Sequence, residues 1–210
     1  MRGVPRVPRF SPADLAAVAL LRVARTADLV AIGMRPETIA ARVRSGQWQR
    51  PFHGVIVMQS GPPTREQLIR AAALYCGDDA VLTGKEAVVR HGLHRVPEGD
   101  ELHFLVPKDR RRHCLAGLVV ERTKNLPSTV ERDGVRIAAL DRAVLDLARR
   151  VPGRDEVLAI LAEAVQRRRT TVDRLLAELD AGNQRGSALA REVLSEVKGR
   201  HPVRRRGLGT

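Results

Sequence analysis

The sequence predicts an α+β fold, with a small N-terminal unit of helices and paired strands followed by a mixed α/β domain that ends in several helices. Three observations support this prediction. Apolar residues recur at helical spacing before residue 45, strand-length apolar runs alternate with helical ones beyond residue 64, and helical patterns alone remain after residue 140. At 210 residues the chain exceeds one typical domain, so we expect two.

The first elements are predicted from capping and turn residues. Residues 1–11 are basic and rich in proline, which predicts a flexible arm. Ser11 is expected to cap a first helix that begins at the proline after it. Thr26 is expected to cap a second helix over 27–32, and Gly33 to supply the turn that follows.

A third helix and a pair of strands complete the N-terminal unit. The helix is predicted over 36–44, and Gly46 can adopt the left-handed conformation that ends it. Strands are predicted over 48–52 and 54–57. The order helix, turn, helix and strand pair is the outline of a winged helix-turn-helix DNA-binding domain, which we predict over residues 12–60.

A helix that enters the major groove presents base-reading residues near its N-terminus, while flanking residues hold phosphates. We expect Arg35, Thr38 and Arg42 to read bases. Arg44, Arg50 and His53 are expected beside the DNA backbone, and Ser45 is expected to bind DNA from the outward face of the helix. An arginine that forks onto a guanine contributes about 1–3 kcal/mol of discrimination. The alternative is a winged helix that contacts protein and leaves these arginines in solvent.

The second domain is predicted over 61–198, after the linker sequence GPPT, and is followed by a basic disordered tail over 199–210. Asp133-Gly134 predicts a tight hairpin over 130–137. Helical patterns cover 65–75, 85–91, 141–149, 155–168, 171–179 and 187–198, and strand-length runs cover 80–83, 102–106 and 118–122.

The charge of the chain indicates a polyanionic partner. Its formal net charge is +13, and residues 1–60 carry nine arginines against three acidic residues. If the charge is considered without the motif, an arginine-rich coding bias is the alternative explanation. The runs 110–112 and 167–169 follow predicted elements, where arginines can cover a helix end or contact DNA or a partner.

Composition also bears on location. Two cysteines are too few for a disulfide framework, which favours a reducing cytoplasm. No apolar run approaches the roughly 20 residues that a membrane helix needs, so we expect no membrane association.

The histidines and cysteines do not predict a metal site. His91 and His94 are three residues apart, but Gly92 separates them at a helix end. His113 and Cys114 are adjacent, and adjacent side chains point in divergent directions. We therefore expect no metal ion.

One motif has the spacing of a nuclease site. Glu196 and Lys198 match the carboxylate–lysine half of a restriction-type nuclease, but they fall in a helical pattern rather than on a strand beside a metal-binding aspartate. No phosphate-binding glycine loop or nucleophile–base pair is present in the sequence. We expect a protein without cofactor that is not an enzyme.

The order of these motifs resembles the AbiEi-type antitoxins of type IV toxin–antitoxin systems, in their actinobacterial style. The resemblance rests on TADLVAIGMRPETIAARVRSGQWQRPFHGVIVM and TREQLIRAAALYCGDDAVLTGKEAVVRHGL, and continues through LHFLVP and DGVRIAALDRAVLDLA, about residues 15–180. This chain departs from the family after the strand at 80–83. Relatives often read Ser-His-x-Ser-Ala there, whereas this chain has Thr-Gly-Lys-Glu-Ala over 83–87.

The resemblance implies a repressor that binds operator repeats in double-stranded DNA, as a monomer or a dimer, and regulates its own operon. It also implies that the second domain opposes a partner toxin of nucleotidyltransferase fold. The DNA-reading helix would then be residues 35–45 and the wing residues 48–57. Similar N-terminal regions also precede restriction-endonuclease-like domains. Two alternative functions therefore stay open: part of a defence-associated nuclease, and an adaptor whose winged helix binds protein.

Overall fold

The computed structural model describes residues 11–182 and 185–200. The predictions of a flexible arm and of a disordered tail fall almost wholly on residues 1–10 and 201–210, outside the described residues. Within the described part the fold is α+β, with two separate β-sheets.

The N-terminal part places short helices on a three-stranded antiparallel sheet. Its elements are α1 (Pro12–Val18), β1 (Val23–Arg25), α2 (Thr26–Ala31), α3 (Pro36–Arg44), β2 (Gln49–Phe52) and β3 (Val55–Val57). The strand order is β1-β3-β2, so the first strand lies beside the last and α2 and α3 form the connection between the edges.

Alternation along β1 and β3 gives this small sheet two buried faces. Val23 pairs with Val57 and Ala24 with Ile56. Ala24 and Ile56 join one apolar cluster with α2 and α3, whereas Val23, Val55 and Val57 join the main core. Because successive side chains on a strand point to opposite faces, three residues per strand suffice to hold the sheet between two layers.

Helix α4 (Arg65–Cys76) forms the layer on the second face of that sheet. It begins at Thr64 with a capping box, in which the Thr64 side chain accepts from the backbone of Gln67 and the Gln67 side chain accepts from the backbone of Thr64. Residues of α4 and of the first sheet lie in the same core as the second sheet. The division at residue 61 therefore stays a prediction, since α4 packs on both parts.

The second sheet has five strands in the order β6-β5-β4-β8-β7. The strands are β4 (Val81–Thr83), β5 (Leu102–Pro107), β6 (Leu118–Thr123), β7 (Thr129–Arg132) and β8 (Val135–Ala138). The helices are α5 (Gly84–Arg90), α6 (Leu140–Ala148), α7 (Arg154–Gln166), α8 (Val172–Ala181) and α9 (Ala188–Arg200). Antiparallel and parallel pairs alternate across the sheet, so the mixed α/β prediction is confirmed.

Two predictions about local structure have clear outcomes. Asp133 and Gly134 both have positive φ, 51° and 68°, so the predicted tight hairpin is confirmed. The prediction that Thr26 caps the second helix is wrong. Arg25 occupies that position without a side-chain cap, and the buried Thr26 hydroxyl has no hydrogen-bond partner among the described residues.

A buried charged cluster lies between the second sheet and α6. Asp146 is 2% exposed and accepts from the Thr83 hydroxyl at 2.8 Å, from Arg142 Nε at 2.9 Å and from Arg149 at 2.8 Å. A buried carboxylate is tolerated when its charge and its lone pairs are satisfied in this way. Among the described residues, no helix combines the length and apolarity needed to cross a bilayer.

Candidate nucleic-acid interface

Helix α3 is held against the N-terminal core by a narrow buried stripe. Ile39 is 1% exposed and packs with Leu29 of α2 and Trp48, while Val43, one turn further along, is partly buried against the same cluster. Gly33, with φ at 99°, makes the turn before the helix, and the Met34 backbone N–H donates to Leu29 O. These contacts fix the orientation of α3 and leave its opposite face exposed to solvent.

The structure leaves the predicted DNA-facing residues on the surface. Arg35, Arg44, Ser45, Arg50 and His53 are exposed, and Thr38 and Arg42 are half-buried. The buried neighbours of α3 lie on the side of α2, so its outward face is open.

Arg42 is held in one orientation by an aromatic ring. Its guanidinium lies over the Trp48 ring, 4.6 Å from the centroid, and Trp48 is only 7% exposed. The Trp48 backbone N–H also donates to Arg42 O at 3.1 Å. Arginine stacked on an aromatic face keeps its edge free for hydrogen bonds, so Arg42 is pre-organised at the junction of α3 and β2.

The C-terminal end of α3 is closed by local hydrogen bonds. The Ser45 hydroxyl donates to Arg42 O at 3.1 Å, and Gly46, at φ 73°, directs the chain into β2. The prediction that Gly46 ends this helix is confirmed. Ser45 therefore has a structural role as well as an exposed position.

The β2–β3 hairpin is short and tied to the start of α2. His53 and Gly54 form its turn, and the Thr26 backbone N–H donates to Gly54 O at 2.8 Å. His53 thus lies beside the α2 end of the sheet, at a fixed position relative to α3.

A groove of about 460 Å³ opens between this hairpin, α2 and α4. Among the described residues that line it, three are arginines, Arg25, Arg50 and Arg112, and none is acidic. Its lining also includes Val55, Leu74 and Tyr75. Cationic and apolar side chains in one groove suit the phosphate and sugar of a nucleic-acid backbone.

Aromatic contacts join the hairpin to the loop between β5 and β6. The rings of Phe52 and Tyr75 stack with centroids 5.6 Å apart, and the Arg112 guanidinium lies 5.6 Å from the Tyr75 centroid. The Tyr75 hydroxyl donates to His113 O at 3.4 Å. Two parts of the chain that are 60 residues apart therefore contribute to one basic surface.

Arg25 has a different role from the other groove arginines. It donates to Asp78 Oδ1 at 2.5 Å and to Leu74 O at 3.3 Å, so it fixes β1 to the end of α4. Its hydrogen bond holds the pKa of Asp78 below the ordinary value. Arg50 and Arg112 form no ion pair within the described residues, so no carboxylate there competes with a ligand for their guanidinium groups.

Sequence reasoning missed Arg25 as a member of this surface, and it gave contact with DNA or a partner only as one alternative for the run 110–112. Arg112 belongs to a basic run that the sequence does reveal, but its position depends on the stack of Phe52 and Tyr75. Nothing local marks Arg25, because β1 becomes a strand only by pairing with β3.

The second basic run, residues 167–169, covers a helix end. Arg169 donates to His91 O at 3.0 Å and Arg167 to Gly92 O at 3.5 Å, at the C-terminal end of α5. Arg132 reaches Arg90 O at the same end. Guanidinium groups there satisfy free carbonyls and oppose the helix dipole.

The nuclease-like motif lies on the exposed face of α9, whose other face is buried in the core. Glu196 pairs with Arg154 at 2.5 Å and Lys198 with Asp173 at 2.8 Å, both on neighbouring helices. The side chains of α9 at these positions are exposed, as the sequence pattern predicts.

Comparison with known proteins gives the fold alone. No family model matches the chain, and no curated protein matches it significantly. Among solved structures, the chain is similar to the RV2827C protein from Mycobacterium tuberculosis, with 16% sequence identity and a TM-score of 0.52. The match covers 91% of this chain and 80% of that one.

Proposed function

We propose that residues 12–60 form a winged helix-turn-helix in which α3 is the recognition helix and the β2–β3 hairpin is a short wing. The strand order β1-β3-β2, with α2 and α3 between the edge strands, supports this assignment. The buried stripe through Ile39 supports it as well, because it leaves the opposite face of α3 free to enter a groove.

The proposed activity is sequence-specific binding of double-stranded DNA. The observation that carries it is the pair of basic surfaces in the N-terminal part, the exposed arginines at the ends of α3 and the arginine-lined groove beside the hairpin. In this proposal Arg35, Thr38 and Arg42 read base edges, and Arg44, Arg50 and His53 hold phosphates. In this role the chain is a binding protein without cofactor, not an enzyme.

We also propose that the chain is an antitoxin of the AbiEi type that represses its own operon and opposes a toxin of nucleotidyltransferase fold. This rests on the sequence resemblance. Co-expression with a nucleotidyltransferase encoded beside it tests the second role, since growth should be restored only when this chain is present.

The DNA-binding proposal is tested by selection from random duplexes. The full-length protein is mixed with a pool of random double-stranded DNA at 150 mM salt, and bound molecules are amplified and sequenced. Enrichment of one motif, with affinity at least about a thousandfold above that for the starting pool, is the expected result. A protein that binds no DNA, or binds every duplex equally, would contradict the proposal.

A prediction for Arg112 follows from the groove. Arg112→Ala should weaken binding to specific and random duplexes alike, because a phosphate contact carries no sequence information. The slope of log affinity against log salt should become shallower by about 0.9. Fluorescence anisotropy over a salt series measures both quantities, and Arg167→Ala is the matched control outside the groove. An unchanged slope would remove Arg112 from the interface.

One alternative is weakened by the side-chain geometry. A nuclease fragment that used Glu196 and Lys198 would need both beside a metal site, yet they form exposed ion pairs with Arg154 and Asp173 on neighbouring helices. A protein-binding adaptor would instead show no salt-sensitive affinity for DNA.

A further inference from the structure

A second pocket, of about 510 Å³, lies at the carboxyl ends of β5 and β6. These strands are parallel, and their register places Pro107 beside Thr123, so the residues that follow each strand meet at one edge. Part of α6 forms another wall through Arg142. The volume is within the roughly 300–1,000 Å³ of small-molecule sites.

Arg142 is a largely buried residue whose side chain lines this pocket. The residue is 4% exposed, and its Nε donates to both oxygens of Asp146 at 2.9 and 3.0 Å. Its terminal nitrogens donate to no described residue. Arg142 Nη1 also lies 3.8 Å from Glu178 Oε1, an ion pair too long for a hydrogen bond. A buried guanidinium with unused donors beside a cavity is suited to an anion.

Three more cations surround the pocket. Lys108, Arg122 and Lys124 line it and are exposed, and none of them forms an ion pair within residues 11–182 and 185–200. Cations on an edge strand such as β6 also discourage pairing with other chains. Protection of a sheet edge does not explain Arg142, because this residue is buried on α6 and lines the same pocket.

One carboxylate also lines the pocket, and it restricts the class of ligand. Glu121 Oε2 accepts from His103 Nε2 at 3.2 Å, and this hydrogen bond lowers the pKa of Glu121, so the group is ionised at neutral pH. No described group donates to its other oxygen. A ligand made only of phosphate would face a repulsive charge here, whereas a hydroxyl or amino group would donate to Glu121.

We propose that this pocket binds a nucleoside di- or triphosphate. The phosphates lie against Arg142 and the three rim cations, and the ribose hydroxyls donate to Glu121. Acidic side chains bind ribose hydroxyls in this way in other nucleotide sites. The pocket is separate from α3 and the hairpin, so the inference does not depend on DNA binding.

The test is isothermal titration calorimetry of the full-length protein at 150 mM salt without metal. The probes are the four ribonucleoside triphosphates and, separately, pyrophosphate. At least one triphosphate should bind at least about tenfold more tightly than pyrophosphate. Absence of binding, or equal affinity for pyrophosphate, would overturn the proposal.

Variants locate the site. Arg122→Ala combined with Lys124→Ala should weaken triphosphate binding at least about tenfold, since two charge-assisted contacts are removed from exposed positions that the fold does not need. Arg44→Ala combined with Arg50→Ala removes the same charge from the other surface and should leave this affinity within about twofold. If the second pair weakens binding as much as the first, the attraction is general to the basic surface and the pocket is not the site.

Glu121→Gln tests the hydroxyl contact separately. Loss of the negative charge should strengthen binding of pyrophosphate, while loss of the stronger acceptor should weaken binding of the triphosphate. The two affinities should therefore converge. If both affinities rise together, Glu121 does not contact the ribose and the nucleotide assignment is wrong.

Discussion

Replacing Arg35 and Arg42 together with alanine should lower the affinity for the selected DNA motif by about 2–6 kcal/mol, if each arginine makes one bidentate contact with a guanine. Affinity for random duplexes should fall much less, because phosphate contacts supply most non-specific binding. Arg35 is exposed at the start of α3, and Arg42 is held over Trp48 at its end. Fluorescence anisotropy with the motif and a scrambled duplex measures the difference.

Two controls show whether a change in net charge or in folding stability accounts for the loss of affinity. Arg122→Ala combined with Lys124→Ala changes the net charge equally at a distant pocket and should leave discrimination intact. Loss of the stack on Trp48 should cost only about 0.5–2 kcal/mol of folding free energy, which thermal unfolding detects. Equal losses on the motif and the scrambled duplex would show that these arginines do not read bases.

Replacing Asp146 with alanine should lower the free energy of unfolding by about 3–5 kcal/mol, because it leaves buried positive charge uncompensated. Arg142 is 4% exposed and the Arg149 side chain 10% exposed, and both donate to this carboxylate. The Thr83 hydroxyl loses its partner as well. Urea denaturation followed by circular dichroism gives the free energy.

A surface carboxylate is the matched control for that measurement. Asp79 pairs with Arg110 at 3.4 Å, but its side chain is 52% exposed. Its replacement by alanine should therefore change stability by no more than about 1 kcal/mol. If Asp146→Ala and Asp79→Ala have equal effects, the buried cluster does not contribute to stability as its geometry indicates.

The features that the sequence predicted correctly depend on neighbours along the chain. The hairpin at Asp133-Gly134 and the end of α3 at Gly46 follow from the cost of positive φ for other residues. Ser11 caps its helix through side-chain bonds that span three residues. Such interactions are visible in a single window of sequence.

The features that the sequence did not predict depend on contacts between distant segments. Strand β1 is three residues long, and its partner β3 lies about 30 residues away. Thr26 resembles a helix cap, but the pairing of β1 places Arg25 at that position. The nucleotide pocket requires Arg142 beside the ends of β5 and β6, which no local pattern indicates.

The central claim, that α3 reads bases in the major groove, is tested most directly by methylation protection of the selected duplex. Dimethyl sulfate modifies guanine N7, the major-groove atom that a bidentate arginine contacts. Wild-type protein should protect specific guanines of the motif, and the Arg35→Ala, Arg42→Ala double variant, at a concentration that still saturates the DNA, should not. Guanines that stay fully reactive under wild-type protein, or the same protection with the double variant, would contradict the account.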